Sequence, residues 1–129
     1  MNPHAYITST GAYLPGEPVG NDEMEARLGF IREKASRLKA KILASNGILS
    51  RHYAIDPITG WPNMTNAAIT AQAVTDCLKH LNLPLSQLEC LACGTSTPDQ
   101  FAPHHGAMVQ GELKAPACEV IGTSGVCCA

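Results

Sequence analysis

Residues 88–94, LECLACG, constrain the fold more than any other segment. A short apolar run of this kind reads as a strand in a sheet covered on both faces. Its neighbours agree. Residues 65–81 carry helical periodicity, with Thr65 or Asn66 as the start signal and Pro84 as the stop. The face expected to be buried is Ile69, Ala73, Cys77 and Leu81, with Val74 and Leu78 alongside. Beyond the strand, residues 95–102 read as a loop. Pro103 at a first helical position opens a helix to about Leu113, and residues 117–121 read as a second strand. Gly122, Thr123, Ser124 and Gly125 read as a sharp turn, and residues 126–129 as the start of a further helix. Helix, strand, helix, strand is the pattern of an α/β fold with its sheet between helices.

Composition decides what fills this frame. The chain has 129 residues, one domain or part of a larger one. Hydrophobic residues make up 45% and charged residues 16%, which excludes a disordered tail. Aromatics are only 5%, so the core is built from Ala, Leu, Ile, Val, Met and Cys. A net charge of −2 argues against nucleic acid or a membrane surface as a partner. No apolar run approaches the roughly 20 residues of a membrane span. The opening MNPHAYITST has neither a basic stretch nor a long apolar one, so no signal peptide is expected and the cytoplasm is the expected compartment.

Residues 4–14 read as a strand interrupted by glycine, and 15–20 as a loop. A long helix is expected over 22–43, capped by Asn21 or Asp22. Its stripe is Met24, Leu28, Ile31, Ala35, Leu38 and Ile42, with Gly29 and Ser36 as interruptions. Asn46-Gly47 is a stop signal. Residues 48–55 read as extended or irregular, and 56–62 as a loop. No repeat and no linker divides the chain.

Six cysteines are present: Cys77, Cys90, Cys93, Cys118, Cys127 and Cys128. In a cytosolic chain they read as reduced thiols. Cys90 and Cys93 have zinc-knuckle spacing, but residues three apart on a strand point to opposite faces, so no metal site is expected. Cys77 and Cys118 read as core residues.

The end of the chain carries the chemistry. A strand, a glycine-bounded turn and then a cysteine at a helix start place a thiol where unpaired N–H groups favour the thiolate. From this pattern alone, a small residue packing a helix on a sheet is the reading slightly ahead.

Four stretches in order carry a resemblance. ITSTGAYLPGEPVGND is similar to the opening strand and Gly-x-Tyr-Leu-Pro segment of the β-ketoacyl-acyl-carrier-protein synthase III family, in the thiolase superfamily. Gly47-Ile48-Leu49-Ser50-Arg51-His52 resembles its Gly-Ile-x-x-Arg-His segment. CGTSTPDQFAP with Gln110 resembles its Thr-rich loop and following helix, and VCCA resembles the stretch around its nucleophilic cysteine. The resemblance implies a thiolase-like layered fold (α-β-α-β-α), of which residues 1–129 supply the N-terminal half, ending at the nucleophile helix. It implies Cys128 as nucleophile, with Cys127 as the alternative and Ser124 if the turn is registered differently. Phe101 then helps shape an acyl pocket across a dimer interface, or simply packs.

The implied reaction is an acyltransferase condensation in fatty-acid or related lipid synthesis. Acyl-CoA and malonyl-acyl-carrier-protein are the substrates. No cofactor is expected beyond the coenzyme A thioester itself. A histidine and an asparagine come from the C-terminal half. His104 and His105 are not those residues; local capping or solvent contact is expected of them. The implied homodimer pairs through a strand such as 117–121. Without its second half the chain is expected to be inactive and poorly folded.

Lys41 and Ser45 stand where the family commonly carries a tryptophan and an arginine that grip coenzyme A, which puts an acetyl-CoA primer in doubt. Arg27, Arg32, Lys34, Arg37, Lys39, Lys41 and Arg51 crowd one region. Arg37 and Lys39 are candidate contacts for acidic acyl carrier protein or coenzyme A phosphates, or else belong to a solvated helix face. Rival functions are polyketide starter condensation, acyl transfer to oxygen or nitrogen, and a non-catalytic partner of an active synthase.

Overall fold

The computed structural model describes residues 4–126. It forms two compact units: the chain up to Tyr13 together with the chain from Thr65 onward, and Leu14–Met64. In chain order the elements are β1 (Val19–Gly20), α1 (Met24–Leu28), α2 (Lys39–Asn46), β2 (Ser50–Arg51), α3 (Asn66–Leu81), β3 (Cys90–Thr95), α4 (His105–Leu113) and β4 (Glu119–Ser124).

In the first unit, α3 begins where expected. The Thr65 backbone is extended, and its hydroxyl accepts the Ala68 N–H at 3.0 Å. Asn82, left-handed at φ 51°, ends the helix two residues before Pro84, its N–H bonded to the carbonyls of Leu78 and Lys79. Helix α4 starts later than expected: Pro103 precedes the cap residue His104, and the Ala102–Pro103 peptide is cis.

Strands β3 and β4 are parallel, in register from Cys90 opposite Glu119 to Thr95 opposite Ser124. The expected turn at 122–125 is therefore corrected. Gly122, Thr123 and Ser124 are the last rungs of β4, because the ladder with β3 continues through them. The chain leaves the strand at Gly125, whose N–H still bonds the Thr95 carbonyl at 3.2 Å.

Helices α3 and α4 pack on the same face of this sheet. Ala67, Ala71, Leu91, Cys93 and Val109 form the core, with Ala67 and Val109 wholly inaccessible. Small residues let the helices lie close to the strands. A Cβ on Gly106 would already stand 3.0 Å from Val120 Cγ1 and 3.2 Å from the Ile121 carbonyl. Along β3, Leu91 and Cys93 are buried while Cys90, Ala92 and Gly94 are exposed. Cys90 and Cys93 thus point to opposite faces, as strand alternation requires. Among the described residues the sheet is covered on one face, not two, because both helices choose the same side.

The inward face of α3 is Ala67 and Ala71, with Val74 packed against the core, rather than the expected Ile69–Ala73–Cys77–Leu81 row. Part of that second row instead receives the N-terminal segment. Gly11 lies so close that a Cβ there would meet the Cys77 amide nitrogen and stand 2.6 Å from the Ala73 carbonyl oxygen. The Ala12 N–H donates to Asp76 Oδ2 at 3.1 Å, Ser9 Oγ to the Cys77 carbonyl at 3.1 Å, and His80 Nδ1 to the Thr10 carbonyl at 3.0 Å. Residues 4–14 are thus not a strand; helix groups, not a ladder, satisfy these backbone atoms.

In the second unit, β1 and β2 pair antiparallel, Val19 opposite Arg51. The long helix expected over 22–43 is two short ones. Gly29, at φ 89°, ends α1, and Arg32 and Glu33 are left-handed at φ 52° and 61°. Glu25 holds the break: its carboxylate accepts the Ser36 N–H at 2.7 Å and pairs with Lys39 Nζ at 2.9 Å. Neither Asn21 nor Asp22 is the cap residue; that position is Glu23, which makes no side-chain cap bond. The Asn21 side chain donates to the Ile48 carbonyl and accepts from Arg51 Nη1 at 2.8 Å. The expected stripe does not become a buried face: Leu28, Ile31, Leu38 and Ile42 are each more than half exposed, and Leu43 is the buried residue of α2. Gly47, left-handed at φ 66°, stops α2 as expected.

Two outcomes follow from this packing. Gly11→Ala should release residues 4–13 from α3 and cost about 1–3 kcal/mol. Faster amide hydrogen exchange at Ala12, with α4 unchanged, checks it. The Ser36 N–H and then Lys39 hold the Glu25 carboxyl below its ordinary value of 4.5. That contact therefore stabilises above about 4.5 and is lost as pH falls through the lowered value. Exchange at the Ser36 amide should rise on acidification, and Glu25→Gln should remove the pH dependence.

Candidate active site

In a parallel sheet the carboxyl ends of the strands and the loops that leave them share one edge. Here that edge holds the ends of β3 and β4, the loop at 96–103, and Gly125 and Val126. Two hydrogen bonds tie it together: Gly125 N–H to the Thr95 carbonyl at 3.2 Å, and Ser96 Oγ to the Gly125 carbonyl at 3.4 Å.

The Thr-rich loop is clamped to the start of α3. Asp99 Oδ1 accepts the Asn66 N–H at 2.7 Å and Oδ2 the Ala67 N–H at 2.9 Å. The Asn66 side-chain amide returns a hydrogen bond to the Thr97 carbonyl. A carboxylate at a helix N-terminus satisfies orphan N–H groups and suits the helix dipole. Sequence reading missed Asp99. It lies far along the chain from the groups it caps, and no local pattern announces the pairing.

His104 is the cap residue of α4, its Nδ1 accepting the Ala107 N–H at 3.4 Å, in keeping with the capping expected of it. The His104 ring lies against Gly122, where any Cβ would overlap it. His105 is corrected: at 4% exposed it is buried rather than facing solvent. Its Nε2 lies 3.1 Å from Thr70 Oγ1. Phe101 is fully exposed. Phe101, His104, His105, Gly122 and Ser124 line one small cavity of about 120 Å³.

Of the candidate nucleophiles, Cys127 and Cys128 lie outside the described residues, and Ser124 is exposed at the last rung of β4. Burial pushes the Cys93 thiol up, which disfavours a nucleophilic thiolate there. Arg37 and Lys39 belong to the other unit. Arg37 is exposed, whereas Lys39 is engaged by Glu25.

Comparison with solved structures defines the class. The chain has the thiolase-like fold of the condensing enzymes. It superposes on a tetronic acid condensing enzyme with a TM-score of 0.67 at 26% identity, covering 91% of this chain and 33% of that one. It also superposes on 3-oxoacyl-[acyl-carrier-protein] synthase III from Aquifex aeolicus, TM-score 0.68, 24% identity, covering 92% of this chain and 34% of that one. In sequence the chain is similar to β-ketoacyl-[acyl-carrier-protein] synthase III of Dinoroseobacter shibae, 33% identical over 113 residues, covering 88% of this chain and 31% of the relative. It is similar also to synthase III 1 of Lactiplantibacillus plantarum, 27% identical over 127 residues, covering 98% of this chain and 35% of the relative. The family resemblance thus holds across nearly the whole chain, which spans about a third of the length of these curated relatives. No protein-family model matches it. No helix among the described residues is long and apolar enough to cross a membrane.

Asp99→Ala should destabilise the first unit by about 1 kcal/mol, the worth of a helix cap. Lowered urea midpoints and faster exchange at the Asn66 and Ala67 amides check it.

Proposed function

We propose that this chain supplies the nucleophile-bearing part of a condensing acyltransferase, completed by the remainder of the thiolase-like fold. One observation supports this most: β4 runs to the sheet's carboxyl edge beside a loop clamped by Asp99, and the chain continues from there into Cys127 and Cys128. In this reading the Cys128 thiolate attacks the carbonyl carbon of an acyl-CoA. The C–S bond to coenzyme A breaks, coenzyme A leaves as its thiolate with that bond's electron pair, and an acyl-cysteine remains. Malonyl-acyl-carrier-protein then loses carbon dioxide. The electron pair left on its α-carbon attacks the acyl carbonyl, a carbon–carbon bond forms, and the Cys128 thiolate is released. A histidine and an asparagine outside this chain assist the decarboxylation.

The active form is a cytoplasmic homodimer in this proposal. Strand β4 borders β3 alone among the described strands, leaving one edge open for a second copy. The first docking candidate for an acidic carrier protein is exposed Arg37; Lys39 is the weaker one, because Glu25 already neutralises it. Another thiolase-superfamily acyl transfer is the second reading, in keeping with the likeness to a tetronic acid condensing enzyme.

Mass spectrometry of the complete protein after incubation with an acyl-CoA should show one acyl adduct on Cys128. Cys128→Ala should abolish it and Cys127→Ala should not. Absence of an adduct on every cysteine would favour a non-catalytic partner. Arg37→Glu should weaken carrier-protein binding several-fold at low salt and little at high salt. Equal affinities at low salt would remove Arg37 from the docking surface.

A further inference from the structure

The segment that separates α1 from α2 is exposed from Leu28 to Leu38 without a break. It is not a slack connection. The Lys34 N–H bonds the Ile31 carbonyl at 3.2 Å, and Arg32 and Glu33 between them are left-handed, so the chain doubles back in a tight turn. Glu25 fixes the base of this turn through Ser36 and Lys39. What the turn presents is apolar. Phe30 is 57% exposed and Ile31 74%, with Leu28, Leu38 and Ile42 each above half. Leu28, Ile31 and Ile42 line one hollow of about 300 Å³, and Leu38 lies one helical turn from Ile42.

Cations are interleaved with these side chains. Arg32, Lys34, Arg37 and Lys41 are exposed, and Glu33 is the single acid from Arg27 to Leu43. The ion pairs among the described residues are Glu25–Lys39 and Asp76–His80, so none of the four has a counter-charge there. The net charge of −2 over the whole chain conceals this local excess.

The mixture selects the partner. A protein surface closing over the apolar residues would bury the cations too, and an unpaired buried charge is costly. An acidic protein would satisfy the cations and leave large apolar side chains in water. A bilayer surface meets both demands. Apolar side chains enter the boundary of the acyl region, while Lys and Arg reach anionic headgroups on their long stems.

We propose that the turn at 29–38, with Ile42 beside it, docks the protein on the surface of a bilayer containing anionic phospholipid. This docking does not depend on the condensing reading, and its failure leaves that reading intact.

The test uses the complete protein. It is floated with vesicles of equimolar phosphatidylglycerol and phosphatidylcholine, and with vesicles of phosphatidylcholine alone. The expected result is flotation with the anionic vesicles only. Phe30→Ser with Ile31→Ser, and separately Arg32→Glu with Lys34→Glu, should each weaken binding about tenfold or more. All four side chains are exposed, so both double variants should keep the parent's thermal midpoint. A second measurement needs neither variant. In Trp61→Phe protein carrying Phe30→Trp, emission should shift to the blue with anionic vesicles and stay unchanged with neutral ones. Absence of flotation with anionic vesicles overturns the proposal, as does equal flotation with neutral ones, an unshifted emission, or binding that both double variants retain. If Arg32→Glu with Lys34→Glu abolishes carrier-protein binding in a protein that ignores vesicles, the patch belongs to the acidic protein and the proposal falls.

Discussion

The first unit rests on close contact between small residues of two helices and one face of a two-stranded sheet. Ala67 and Val109 are sealed from solvent, and Leu91 and Cys93 fill the layer beneath them. A core with so few large side chains gains its stability from tight approach rather than from area alone. That explains why glycines sit where elements meet. Gly106 lets α4 approach β4, Gly122 makes room for the His104 ring, and Gly11 lets the N-terminal segment lie on α3. Each approach in turn positions something at the carboxyl edge: α4 brings His105, and α3 brings the N–H groups that Asp99 caps.

The helix–strand–helix–strand order beyond Thr65 was legible because each element carries a local signal. Thr65 caps α3, Pro84 follows its end, and the apolar run at 88–94 becomes β3. What failed did so for tertiary reasons. Strand β4 outran its apolar stretch because hydrogen bonds to β3 hold Gly122 and Ser124 regardless of propensity. The inward face of α3 was misplaced because its alanines, not its larger residues, meet the sheet. In the second unit a regular apolar spacing over 22–43 suggested one helix, yet Glu25 reaches across to Ser36 and Lys39 and stabilises a break at Gly29. Periodicity alone carries no information about such a contact.

The site divides the same way. The expectation of a site at a strand end came from the order of motifs. The clamp that shapes it was not, since Asp99 and Asn66 meet only through the fold. His105 shows the limit most plainly: next to a capping histidine it reads as a surface residue, and only the packing of α3 on α4 buries it against Thr70. The resemblance to synthase III carries the proposal for the nucleophile segment but is silent on this histidine.

The one-sided cover of the sheet has a practical consequence. Cys90 points away from α3 and α4, whereas Cys93, a rung and a half along the same strand, is buried beneath them. The two thiols are therefore a matched pair of probes, one on each side of a single layer. Alkylation of Cys93 reports opening of the helical core. Alkylation of Cys90 reports whether anything has settled on the bare side, so assembly of the complete fold can be followed, chemically and in real time, at one sulfur atom.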